Sequence, residues 1–206
     1  AQSFYFSPEY LAFGRGDGEF VTDLYNTFFY RPPDAQGLAY WTGQLASGLP
    51  REAALVSFMF SAEFRDVLQA VFGATAVRPE IDTVTDFYRG LLARLPDDGG
   101  FAYWLARFRT AQCRGRAAVN AEVEAISSLF TGSAEYAARG RTNAQYVGDL
   151  YNAFLRRGGD LPGVLYWIAE LDTKARTRDN VRRAFVASPE FQARVAAIIA
   201  QGCLPS

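Results

Sequence analysis

The chain has 206 residues, half of them hydrophobic and 15% aromatic, with a formal net charge of −1. That is enough apolar material for a sizeable core and too much for disorder. The balanced charge offers no broad basic field for nucleic acid or an anionic membrane. No apolar run approaches the roughly 18–20 residues needed to span a bilayer. Histidine is absent, which removes Ser-His-Asp and Cys-His nucleophile systems and every His-ligated metal site. Catalysis would have to use carboxylates, tyrosines, a cysteine or Lys174. Lys174 is the single lysine; the other twenty basic residues are arginines. A GC-rich bacterial genome produces that bias, and selection for bidentate anion contacts is the functional alternative.

Three segments superpose without gaps. The first runs Val21, Asp23, Tyr25, Arg31, Asp34, Gly37 and Tyr40-Trp41. The second has Val84, Asp86, Tyr88, Arg94, Asp97, Gly100 and Tyr103-Trp104, and the third Val147, Asp149, Tyr151, Arg157, Asp160, Gly163 and Tyr166-Trp167. The spacing is 63 residues both times, the signature of a repeat architecture. Each copy closes on Ser-x-Glu-aromatic: Ser61 to Phe64, Ser133 to Tyr136 and Ser188 to Phe191. The chain also opens with one, Ser7 to Tyr10, and Gly14-Arg15 matches Gly140-Arg141. The N-terminus therefore reads as the tail of a truncated fourth unit, a cap on the first copy.

Within a copy, Phe20, Val21, Leu24, Tyr25, Phe28 and Phe29 form one helical stripe. Pro32-Pro33 ends that helix, and Asp34 caps the next. Leu38, Trp41 and Leu45 face inward. Gly48 stops the second helix and Pro50 opens a third, apolar one. Ser61 caps a fourth, with Glu63 in its first turn. The expected fold is all-α: a helical array of three repeats of about four short helices each, plus an N-terminal helix from the truncated unit. The expected divisions are a capping segment 1–19, repeat 1 at 20–72, a connector 73–83, repeat 2 at 84–139 with an insertion 107–119, repeat 3 at 140–200 and a tail 201–206.

These motifs resemble the bacterial repeat family called domain of unknown function 4214. The resemblance rests on Phe-Val-x-x-Leu-Tyr, Arg-x-Pro-Asp-x-x-Gly-Leu-x-Tyr-Trp, Leu-x-x-Gly and Ser-x-Glu-Phe in the first copy. The second and third copies are degenerate, the third with Gly158-Gly159-Asp160 in place of the proline-aspartate step. A more distant similarity is to the helical linker domains of phycobilisomes. The resemblance implies secreted or surface proteins with binding or scaffolding roles, and it carries no catalytic motif.

The recurring residues are read as structural first. Asp34, Asp97 and Asp160 are helix caps, as are Ser61, Ser133 and Ser188. Trp41, Trp104 and Trp167 are expected to be buried. Tyr40, Tyr103 and Tyr166, with Arg31, Arg94 and Arg157, are the candidate binding residues, the tyrosines at a boundary and the arginines near a helix C-terminus. No metal site, catalytic residue or cofactor is expected, and the segment from Gly16 to Glu19 lacks the alternating oxygens of an EF-hand loop. Cys113 and Cys203 are expected to form a disulfide, with two free thiols as the alternative. The Ala-Gln-Ser start reads as the end left by signal-peptide cleavage, which with a disulfide implies a bacterial extracellular or periplasmic location. The expected function is a non-catalytic module binding an unknown macromolecule, protein or glycan, or associating with itself. Nucleic acid is not an expected partner. The alternatives are a carbohydrate-binding module using Tyr and Arg, and a carboxylate-dependent hydrolase.

Overall fold

The computed structural model describes residues 1–73 and 78–203. Parts of the expected connector (74–77) and tail (204–206) lie outside the described residues. Among those described, the fold is all-α, with fourteen α-helices, one π-helical turn and no strand. Two short N-terminal helices, α1 (Gln2–Tyr5) and α2 (Pro8–Leu11), stand where the sequence suggested one. Ser7 breaks them apart, its hydroxyl capping α2 by accepting from the Tyr10 N–H at 3.1 Å.

Four helices follow the start of each sequence copy. The first copy has α3 (Asp17–Phe29), α4 (Ala35–Ala46), α5 (Arg51–Met59) and α6 (Ala62–Phe72). The second has α7 (Pro79–Leu92), α8 (Asp98–Gln112), α9 (Arg116–Thr131) and α10 (Ala134–Ala138). In the third, α11 (Asn143–Leu150) runs into the π-helical turn Tyr151–Leu155, followed by α12 (Leu161–Asp172), α13 (Arg178–Ala187) and α14 (Pro189–Ala200). The first helix ends each time in a left-handed residue at the same place: Tyr30, Ala93 and Arg156. The surplus at 107–119 is absorbed as extra helical turns, not as a loop. The α8 and α9 helices have 15 and 16 residues, against 12 and 9 for α4 and α5. No breaker interrupts that Ala/Arg-rich stretch before Gly115, at φ 90.

The three copies close on one another. The α7 helix crosses the π-helical turn at Gly90, where a side chain would run into the backbone of Ala153. Phe87 and Phe154 meet there, with ring centroids 5.1 Å apart. The α14 helix lies against both: Phe191 packs on Phe154 at 5.2 Å, and Arg194 donates to the Asp86 carboxylate at 2.6 Å and the Phe154 carbonyl at 2.7 Å. The first copy reaches the third through α5. Glu52 accepts from the Gln145 side chain at 3.2 Å. Phe60 is covered by the guanidiniums of Arg89 and Arg156, 4.8 and 5.2 Å from its ring centre. Cys113, just after α8, is disulfide-bonded to Cys203, and the Gln112 side chain donates to the Gly202 carbonyl beside it.

The departure Gly158-Gly159 has a reason in this packing. A Cβ on Gly158 would overlap the Ala53 carbonyl and the Ser57 hydroxyl of α5. Gly158→Ala is therefore expected to destabilise the protein by about 1–3 kcal/mol, read as a lower urea midpoint with an unchanged slope; an unchanged midpoint would refute this contact.

Candidate functional site

The recurring residues assemble into the same constellation three times. Arg31, Arg94 and Arg157 lie over the rings of Tyr25, Tyr88 and Tyr151, at 5.0, 5.0 and 4.9 Å. Each guanidinium forks a glutamate of the Ser-x-Glu motif. The Nε donates to Glu63, Glu135 and Glu190 at 2.7, 2.6 and 2.8 Å, and a terminal nitrogen to the second oxygen at 3.0, 3.2 and 2.9 Å. Asp34, Asp97 and Asp160 stand 3.7, 3.5 and 3.4 Å from the same guanidiniums. They also cap α4, α8 and α12, accepting from the Gly37, Gly100 and Gly163 N–H groups at 2.8, 2.8 and 3.1 Å.

Those glycines cannot carry a side chain, because the Tyr25, Tyr88 and Tyr151 hydroxyls sit where a Cβ would be. Ser61, Ser133 and Ser188 cap α6, α10 and α14 and donate back to the carbonyls of Phe58, Phe130 and Phe185 at 2.9, 2.7 and 2.8 Å. The three phenylalanine rings fill the space between the repeated Tyr and Trp: Tyr25–Phe58, Tyr88–Phe130 and Tyr151–Phe185 centroids are 5.1, 4.7 and 4.9 Å apart.

The electrostatics follow this geometry. Hydrogen bonds from the glycine N–H groups hold Asp34, Asp97 and Asp160 below the usual carboxylate range. The glutamate forks raise Arg31, Arg94 and Arg157. The other recurring carboxylate has equivalent partners in the first and third copies and different ones in the second. Asp23 accepts from the Tyr10 hydroxyl at 2.7 Å, with Arg15 at 3.2 Å. Asp149 accepts from Tyr136 at 2.8 Å and from Arg141 at 2.9 and 2.8 Å. Asp86 sits among Arg194, Arg156 and Arg89. Burial pushes the Asp86 and Asp149 carboxyls up against the pull of these guanidiniums.

Exposure separates the candidate residues. Tyr40, Tyr103 and Tyr166 are 57%, 53% and 49% exposed, each edge-on to its neighbouring tryptophan. The expectation that all three tryptophans are buried needs correction. Trp104 is buried, but Trp41 and Trp167 are only half-buried. Over Trp104 lies Arg107, 5.5 Å from its ring and forked by Glu122 on α9; the matching positions in the first and third copies are Gln44 and Glu170. Arg31, Arg94 and Arg157 form a repeated row, but each fork is already filled by a glutamate. Glu63, Glu135 and Glu190 were read from the sequence only as first-turn acids, and Phe58, Phe130 and Phe185 were not singled out. Their signal was the recurring Phe-x-x-Ser-x-Glu spacing.

Between the first and third copies a cleft of about 460 Å³ is lined by Tyr40, Trp41 and Gln44 on one side and Arg157, Asp160 and Pro162 on the other. Asp17 is paired with Arg51 at 2.6 Å, and Glu19 caps its own helix by accepting from the Gly16 N–H. Among the described residues no cluster of three or more acidic or cysteine side chains is placed to hold a metal ion. Among them, too, no helix is long and apolar enough to cross a membrane.

The family model described as a domain of unknown function (DUF4214) matches residues 1–68 and 127–195, and the chain belongs to that family. The two matched stretches start 126 residues apart, so each begins with a Ser-x-Glu tail and ends in a full sequence copy; α7 and α8 lie between them. No curated protein and no solved structure matches the chain.

The repeated fork and cap yield two expectations. A double-mutant cycle on Arg157→Ala and Glu190→Gln is expected to return a coupling of about 0.2–1 kcal/mol, as for exposed ion pairs; zero coupling would mean the fork is not formed in solution. The lowered cap carboxyls stabilise the fold fully at neutral pH and lose that contribution as pH falls through their folded values. Urea midpoints measured between about pH 5 and pH 2 should therefore fall less steeply in an Asp34→Asn, Asp97→Asn, Asp160→Asn variant. An identical fall in variant and parent would remove the caps as a source of acid lability.

Proposed function

We propose that this chain is a non-catalytic binding module that engages a macromolecule through the faces carrying Tyr40, Tyr103 and Tyr166. The carrying observation is that these rings recur at the same position of each copy and stay half exposed, while the charged groups beside them are satisfied by one another. Half-exposed tyrosines offer broad, rigid contact area with a polar tip, the chemistry favoured at recognition surfaces. The disulfide supports an oxidising compartment, and hence secretion. A carbohydrate ligand is the second reading, favoured by the cleft in which Tyr40 and Trp41 face Arg157 and Asp160.

The triple variant Tyr40→Ala, Tyr103→Ala, Tyr166→Ala separates function from fold. Changes at such exposed sites are expected to shift stability by only about 0.5 kcal/mol each, while binding to a surface extract of a bacterium encoding this family should be lost. Retention of all binding by the variant would defeat the proposal. A glycan array assigns the ligand class: hits abolished by Tyr40→Ala favour carbohydrate, and an empty array removes that reading.

A further inference from the structure

The stretches 1–68 and 127–195 are equivalent, but they are covered differently. In the second stretch, α7 lies across the first-helix segment and the tail helix. Phe87 completes a three-ring cluster with Phe154 and Phe191, Tyr88 packs on Phe130, and Arg94 holds Glu135. Every receiving group has a counterpart in the first stretch. Phe28 and Phe64 form the same aromatic pair, 5.0 Å apart, with Phe58 beside Phe28 as Phe185 is beside Phe154, but with no counterpart of Phe87 among the described residues. Phe4 stands where Phe130 stands, its carbonyl likewise accepting from a Ser-x-Glu serine, yet it is 61% exposed against 6%. Glu9 stands where Glu135 stands; both are exposed, but among the described residues only Glu135 is forked by an arginine. Asn152 and Ala153 are buried beneath α7, while Asn26 and Thr27 are exposed. Val195 and Ile198 of α14 are fully buried, while the matching Leu68 and Val71 of α6 are exposed, as is Phe72 beside them. The α6 helix buries none of its residues. An apolar face of this extent marks an interaction surface.

We propose that this face docks a two-helix segment bearing the first half of this family's signature, in the pose that α7 and α8 take on the second stretch. This goes beyond the binding role proposed above, because the face is separate from those carrying Tyr40, Tyr103 and Tyr166. The chemistry of the occupant can be read from the receiving groups. An adjacent aromatic pair would fill the gap beside Phe28 and Phe64 and cover Phe4. An arginine six residues after the second aromatic would fork Glu9, as Arg94 forks Glu135. One position should differ from α7. Asp86 is met by Arg156 and Arg194, but the equivalent positions of the first stretch are Tyr30 and Val67. The occupant should carry an apolar residue there. A folded second copy of this chain is a poor donor, because Arg31, Arg94 and Arg157 each already hold a glutamate of their own copy.

The test uses the full chain and a labelled peptide of the sequence of residues 79–112 carrying Asp86→Leu, followed by fluorescence anisotropy. Saturable binding is expected. It should weaken about tenfold or more with Leu68→Glu plus Phe72→Glu in the protein, and roughly two- to fivefold with Glu9→Arg or with Arg94→Glu in the peptide. Combining Glu9→Arg with the Arg94→Glu peptide should restore affinity, a rescue that a general loss of structure would not give. The peptide with the native Asp86 should bind more weakly. Three results would overturn the proposal: no saturable binding, binding indifferent to Glu9 and Phe72, or a dimer of the protein alone that those substitutions abolish. A protein that ignores the peptide but still binds an extract through its tyrosines would lose this inference and keep the broader role.

Discussion

The arginine that forks a glutamate across a tyrosine ring is the contact on which each copy depends. It ties the end of the first helix to the start of the fourth, two elements more than thirty residues apart in the first copy. The same guanidinium stands beside the aspartate that caps the second helix. The first, second and fourth helices therefore meet at one cation, and the third joins them through the phenylalanine whose carbonyl accepts from the capping serine. Exposed ion pairs are individually weak. This one gains from bidentate geometry and from the ring beneath it, which leaves the arginine little freedom to lose. The tyrosine hydroxyl in turn lies against a glycine, so four of the repeated positions make one contiguous object. The arginine and the aspartate viewed alone look like ordinary surface residues, although the tyrosine between them is buried.

Between copies the physics changes. The junctions are built from buried aromatic rings and from a carboxylate taken out of water among guanidiniums. Burying a charge is tolerable only with partners on every side, and Asp86 and Asp149 have them. At the first junction the corresponding Asp23 keeps only Tyr10 and Arg15 and remains partly exposed. The molecule therefore contains a covered and an uncovered version of one interface. That contrast says more about partner choice than any pocket does.

Much of this was legible in the chain. The Asp34 and Ser61 caps, the stop at Pro32-Pro33, the apolar third helix and the pairing of Cys113 with Cys203 all follow from local rules of turn chemistry, periodicity and cysteine count. Other features were not. The glutamates were read as first-turn acids because local spacing cannot show which distant arginine they meet. Trp41 and Trp167 were expected inside because aromatic residues on an apolar face usually are, yet burial depends on what neighbouring helices cover. The insertion was legible as extra length, but only the structure showed that it extends two helices on either side of Gly115.

The sequence by itself determined the helices, their ends, and the fact that one set of eight positions recurs at a fixed spacing. Such properties depend on a few neighbouring residues and on steric rules that hold anywhere. Only the tertiary structure decided which recurring charges meet, that the first and third copies touch across Gly158, and that α6 buries nothing while its counterpart α14 buries Phe191, Val195 and Ile198. The reason is that covering a face requires a second element from elsewhere in the chain, and no residue records locally whether that element is there.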